Sequence, residues 1–588
     1  MLKDKRSLLL RLLLIPAALL LILSVRFYSD NKEFTDFTRQ MFRQEITGNT
    51  LNLHYTLSNP KAYGISSYPV TLGSAEPYAH QQGLATLENY RRTLEQISYK
   101  NLTDDNKLTF DILRSYLDVQ EQGKDFTLYA EPLGATIGTQ AQLPVLLAEY
   151  TFRNPRDVEE YLTLISQMDT YYASILNFEK AKSDAGLFMS DRSADHIISQ
   201  CRSFIDGEEN FLLPIFEEKI DRLDGLSETE KLSLKDQHEA LVKNHVIPAY
   251  ELLINGLTAL KGTGKNPGGL ASFERGKEYY EYLIRDSTGC YASVSEIEAR
   301  IRKQLMADFK ELQTLIAGHP ELLSQQTSSS GDMPDPGAIL KDLQEKMAAD
   351  FPAPPSVSCD IKYVHKSLEK FLSPAFYLTP PMDNLVSNVI YINNLSGYTP
   401  MELYTTLAHE GYPGHLYQTV CCGSTPSNEV RSILNFGGYV EGWATYVEMY
   451  SCSLADVDEP VADLYRLNRS ILLGISSALD IAIHYHGYTR AQTAAYLSRI
   501  GFTNEGAADS LYDTIIEAPA NYLKYYVGCL CFMDLRDAVK KDRGEDFNLK
   551  EFHKELLEIG PAPFSVLKKY MMPGDFGSAK ARKNPKAS

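Results

Sequence analysis

Leu407-Ala408-His409-Glu410-Gly411-Tyr412-Pro413-Gly414-His415 is the stretch on which the reading of this chain turns. In an H-E-x-x-H zinc motif the histidines are four residues apart, so one helix face presents both to a metal. Here they stand six apart with a proline between them. On a straight helix six residues turn the second side chain roughly 240° from the first, well off its face. Pro413 cannot donate to the carbonyl of His409, four residues back, and its ring clashes with that carbonyl. Gly411 and Gly414 flank it and permit unusual backbone angles. Upstream, Thr399 can cap a helix and Pro400 can occupy its first turn, so the helix is expected to run to His409-Glu410 and break there. Only such a break returns His415 to the side of His409. The same residues also fit a plain Gly-Pro junction between two helices with surface histidines.

A third ligand is available downstream. Phe436-Gly437-Gly438-Tyr439-Val440-Glu441-Gly442-Trp443-Ala444 opens a new helix with Glu441 in its first turn. A carboxylate arriving from a neighbouring helix completes a His-His-Glu zinc set with one open position. Glu441 also reads as an acid favoured by the helix dipole. Glu448, two turns later on the same face, either holds a histidine ring from behind or stands in solvent.

Around these motifs the chain is an ordinary folded body: 588 residues, 44% hydrophobic and 23% charged. A net charge of −18 argues against a nucleic-acid partner, which needs a basic surface. Lys3, Lys5 and Arg6 precede an uncharged run from Leu12 to Val25, the pattern of an export signal or signal anchor over residues 1–30. No small-x-small cleavage site follows, which favours a retained anchor, and the basic start places the large domain outside the cytoplasm. The expected location is extracytoplasmic, anchored to the cell membrane or secreted. Eight cysteines are compatible with export, but neither Cys421-Cys422 nor Cys529-Leu530-Cys531 has zinc-ribbon spacing.

Apolar residues recur at three- and four-residue intervals over most of the chain, as in Tyr161, Leu164, Ile165, Met168 and Tyr172 within a predicted helix over 157–181. The best strand candidate is Ser387 to Asn394, β-branched and aromatic, just ahead of the histidine motif. Its edge could pair with an extended peptide or serve structure alone. The segments 262–269 and 324–337 read as loops. The expected fold class is mainly α with a minor sheet near the site. Residues 31–575 are expected to form one helical domain, divisible into lobes of about 31–262 and 263–575, and 576–588 a disordered basic tail.

With His-Glu-Gly-x-Pro-Gly-His at 409–415 and Glu-Gly-Trp-Ala at 441–444, the sequence resembles the bacterial domain-of-unknown-function family 885. The segments 373–377, 480–484, 519–528 and 547–560 sit where that family has similar stretches. The chain departs from the pattern at Ser476, where a basic residue is usual, and at Tyr526, where a lysine is. The family in turn resembles gluzincin metallopeptidases. That resemblance implies one zinc ion on His409, His415 and Glu441, Glu410 as general base, and a helical body with a deep cleft, like neurolysin or the bacterial metallocarboxypeptidases. Tyr525 matches the tyrosine of a family motif, which implies a hydroxyl donor to the developing oxyanion. Asp480 and His484 are one helical turn apart, either an acid orienting a histidine at the oxyanion or a local pair. Arg536, further along the helix of Tyr525, is a candidate for holding a substrate carboxylate. The resulting expectation is a zinc-dependent peptidase acting on peptide substrates outside the cytoplasm. Its alternatives are a zinc hydrolase of non-peptide amides or esters and an inactive peptidase fold that binds peptides.

Overall fold

The computed structural model describes residues 2–134, 138–206, 210–264, 268–325, 333–366, 369, 373–572 and 574; side chains are described from residue 24 on, those of 324, 325 and 396 excepted. Helices dominate it, with one three-stranded sheet among the described residues. The first helix, α1 (Leu2–Thr47), starts within the expected anchor and continues far beyond it. The side chains of most of that anchor lie outside the described residues. Among the described residues no helix is long and apolar enough to cross a membrane. The centre of the 324–337 loop and the tail at 576–588 also lie outside them.

The helical periodicity converts directly into burial. Tyr161, Leu164, Ile165, Met168 and Tyr172 are all essentially inaccessible. The segment they occupy is two helices, Pro155–Ile165 and Met168–Asp184, rather than the single helix expected. At the junction the Ser166 amide donates to both Leu162 and Leu164, a tightened turn that ends the first helix. One apolar core gathers Phe34, Phe42 and Leu113 from the first part of the chain with Trp443, Phe532 and Leu556 from the last. Residues on both sides of position 262 therefore share it.

The sheet stands beside the histidine motif. Strand β1 (Ser358–Tyr363) pairs in parallel with β3 (Ser387–Ile392), and β2 (Ala375–Leu378) pairs antiparallel on its other side. Asn388, Ile390 and Ile392 of β3 alternate inward, as period-two patterning requires. The strand expected at 387–394 is thus present, but it is central. Both of its edges are occupied, so it cannot take a peptide by strand addition; the outer edge of β2 is the one that faces the site.

Candidate metal centre

Helix α2 (Pro400–Glu410) begins with a reciprocal cap, Thr399 accepting from the Glu402 amide and Glu402 accepting from that of Thr399. It ends at Gly411, and α3 (His415–Ser424) starts at the second histidine. The Tyr412–Pro413 peptide between them is cis. Gly414 presses against the last turn of α2: a Cβ there would lie 1.8 Å from the His409 carbonyl oxygen and 2.3 Å from that of Ala408. Only glycine allows this approach, because no side-chain carbon fits at that separation. The break brings the imidazole centroids of His409 and His415 to 4.8 Å, with the rings nearly perpendicular.

Helix α4 (Gly437–Ser451) brings the third candidate ligand. Oε2 of Glu441 lies 3.7 Å from Nε2 of His409 and 3.4 Å from Nε2 of His415. Trp443, two residues on, fixes this helix to the break by donating its indole N–H to the Pro413 carbonyl at 2.9 Å. On the far side of His409, Glu448 accepts from Nδ1 at 3.0 Å, leaving Nε2 directed at the centre. Arg469, on α5 (Glu459–His484), holds Glu448 in turn, with Nε at 2.8 Å and Nη2 at 3.1 Å.

The donor set fits a zinc ion. In a tetrahedron with bonds of about 2.0–2.1 Å, neighbouring donor atoms stand about 3.4 Å apart, close to the two separations measured from Glu441. The electrostatics agree. Burial disfavours a charge on His409, yet Glu441 and Glu448 raise its pKa to about 10. Burial likewise opposes ionisation of Glu441, but hydrogen bonds to His409 and His415 hold it well below the usual carboxylate range. Glu441 and Glu448 therefore favour positive charge at His409.

Glu410 follows His409 directly, and its carboxylate comes within 4.8 Å of the ligand atoms of both histidines. The backbone amide of Tyr377 on β2 donates to its Oε2 at 2.8 Å. Tyr525, on α6 (Asn521–Arg543), stacks at 6.5 Å from the His409 ring and turns its hydroxyl to Glu441. Burial, then Glu441, keeps that phenol protonated and so a donor. α4 and α6 come this close because Gly442 meets Gly528; a Cβ on Gly442 would lie 2.4 Å from the Gly528 carbonyl carbon.

The model of a family described as "Bacterial protein of unknown function (DUF885)" matches residues 61–571. The chain belongs to that family. Among solved structures, a "putative lipoprotein" from Colwellia psychrerythraea is similar at a TM-score of 0.82 and 20% identity, over 92% of this chain and 98% of that one. A "putative lipoprotein of unknown function" from Shewanella oneidensis is similar at 0.62 and 16%, over 92% and 99%. At these identities the likeness shows a shared fold. No curated protein matches the chain.

Three of the expected site residues of this DUF885 protein lie elsewhere. His484 spends both ring nitrogens on structure, Nδ1 accepting from the Leu270 amide and Nε2 donating to the Ile515 carbonyl. Burial lowers its pKa to about 4. Asp480 does not orient it. Instead it accepts from the Tyr280 hydroxyl at 2.5 Å and from the amide of Ala520 at 3.0 Å. Ala520 has φ 62° and precedes α6, so Asp480 anchors the turn from which the Tyr525 helix starts. Arg536 is eleven residues beyond Tyr525, about 16 Å of helix rise, and packs over the Tyr446 ring while bonding Asp537. Arg469 went unforeseen; the one signal it left is a lone charge in the otherwise uncharged run from Leu467 to Leu479.

Proposed function

We propose that this protein is a zinc-dependent peptidase of gluzincin type working outside the cytoplasm. The observation that carries the reading is the convergence of His409, His415 and Glu441, with Glu441 3.7 and 3.4 Å from the two imidazoles and Glu410 alongside. Zinc held by those three residues supplies a Lewis acid that polarises a carbonyl and acidifies water. The chain's own groups do the rest. Glu410, its orientation set by the Tyr377 amide, takes the proton of the attacking water and delivers it to the leaving amine. Tyr525 donates its hydroxyl to the oxygen on which negative charge develops. Glu448 and Arg469 keep His409 in one tautomer and one orientation.

A peptide substrate is supported by the space available. A groove of about 1270 Å³ is lined by Tyr377, whose amide bonds Glu410, by Gln418 and Thr419 on α3, and by Val440, the residue before Glu441. That volume suits a run of several residues rather than a small ester. Export is supported by the basic and apolar N-terminal segment and by the lipoprotein descriptions of the two similar structures.

The test joins metal analysis to digestion of a peptide library by wild type and Glu410→Gln. The expected result is about one zinc per chain in both proteins and cleavage by wild type alone. Cleavage that survives in the variant, or a wild type that binds no zinc, overturns the reading.

A further inference from the structure

The groove carries three carboxylates, Glu45, Glu429 and Glu558, against one guanidinium, Arg431. Beside the candidate ligands, on α5 and α6, stand two cations, Arg469 and Lys524, and neither lines the groove. Lys524 Nζ is 3.9 Å from Oε1 of Glu441 and 5.1 Å from the centroid of the Tyr525 ring. The side chain of Arg469 is 40% accessible. Its Nε and Nη2 are engaged by Glu448, whereas Nη1 has no acceptor among the described residues. The carboxylates beside these cations already have work: Glu448 is shared with His409, and Glu441 is a ligand in the reading above.

We propose that the substrate is a peptide with a free carboxyl end, its body in the groove and its terminal carboxylate at Arg469 and Lys524. The enzyme then works from the carboxyl terminus. This assignment rests on the peptidase reading and adds polarity to it. The sign of the charges decides which end is read: an ammonium terminus is repelled by Arg469 and Lys524, and a carboxylate is repelled by the three acids of the groove. A guanidinium with a free N–H and a nearby ammonium offer a carboxylate two charge-assisted contacts. In the reaction, water adds to the scissile carbonyl carbon and the C–N bond breaks. Glu410 transfers one proton of that water to the departing amine. The products are a shortened peptide with a new carboxylate and the released carboxyl-terminal fragment, and one water is consumed.

Matched peptides that differ only in a free or an amidated carboxyl end provide the test, with zinc content measured for every protein. Wild type is expected to prefer the free acid on the order of 100-fold in kcat/KM, about tenfold for each of two charge-assisted contacts. Lys524→Gln and Arg469→Gln should each cut that ratio about tenfold, mainly through KM for the acid, and Arg469→Lys should restore part of it. If Arg469 served only to brace Glu448, its loss would slow acid and amide alike and leave the ratio unchanged. An unchanged ratio in both variants, or a wild type indifferent to amidation, overturns the proposal. Should wild type cleave neither peptide, the peptidase reading fails separately. The same pair is then titrated against zinc-loaded Glu410→Gln: tighter binding of the acid, weakened by Lys524→Gln, supports the carboxylate site, and equal binding refutes it.

Discussion

Between His409 and Arg469 stands a single carboxylate, that of Glu448, accepting from the imidazole on one side and the guanidinium on the other. Burial alone would raise its pKa; Arg469 and then His409 hold it below the ordinary value, so it stays ionised. Glu448→Gln keeps the shape but removes the charge that fixes the ring. Its zinc affinity, measured by competition with a chelating dye, should fall about 10- to 100-fold. Glu410→Gln should behave in the opposite way, keeping zinc at full stoichiometry while kcat falls by about 10² or more. Which residues the structure brings together was legible in sequence only in part. His409, Glu410, His415 and Glu441 declare themselves because few other chemistries use those side chains in that order. Arg469 does not. It meets Glu448 only because two helices pack together, and a separation of 21 residues along the chain carries no trace of that meeting.

At the scale of the element, the centre depends on where a helix stops. Gly414→Ala would force a methyl into the His409 and Ala408 carbonyls, so α2 and α3 must separate and the imidazoles with them. Loss of bound zinc and a lower melting temperature are the expected outcome, whereas a variant with full zinc would show that the break tolerates a side chain. Trp443→Phe is milder. It leaves the Pro413 carbonyl without its partner, a buried acceptor worth about 1–3 kcal/mol, and should show as lower stability with a smaller loss of zinc. The interruption itself was readable from Pro413 and its flanking glycines, since the covalent geometry of proline acts locally. The pair Asp480 and His484 misled for the complementary reason. Their spacing places them one turn apart on a helix, but Tyr280, Ala520, Leu270 and Ile515 arrive from distant segments and claim their polar atoms first.

For the molecule as a whole, Asp480 links folding to pH. Burial lifts its pKa from an ordinary value of 3.8 to about 7, and one of its oxygens has no hydrogen-bond partner, as befits a protonated carboxyl. The folded state then holds a proton that the unfolded chain releases above about pH 4. This contribution to stability is complete at lower pH and is lost as pH rises through about 7. Denaturant midpoints across that window should decline in wild type more steeply than in Asp480→Asn; parallel curves would remove Asp480 as the cause. Fold class was legible because helical periodicity repeats along most of the chain. The position of β3 at the centre of its sheet was not, because pairing order is decided by segments that carry no mark of their neighbours.

Trp443 is the chain's one tryptophan, wholly buried, and its indole is bonded to the peptide that joins the two histidine helices. The molecule thus carries a built-in optical reporter. Excited on the red edge of indole absorption, where the 37 tyrosines are silent, its emission comes from one address only, the hinge on which the histidines converge. Any rearrangement of that hinge as zinc enters or leaves would be visible as a change in intensity or wavelength, without a label and without background from the rest of the protein.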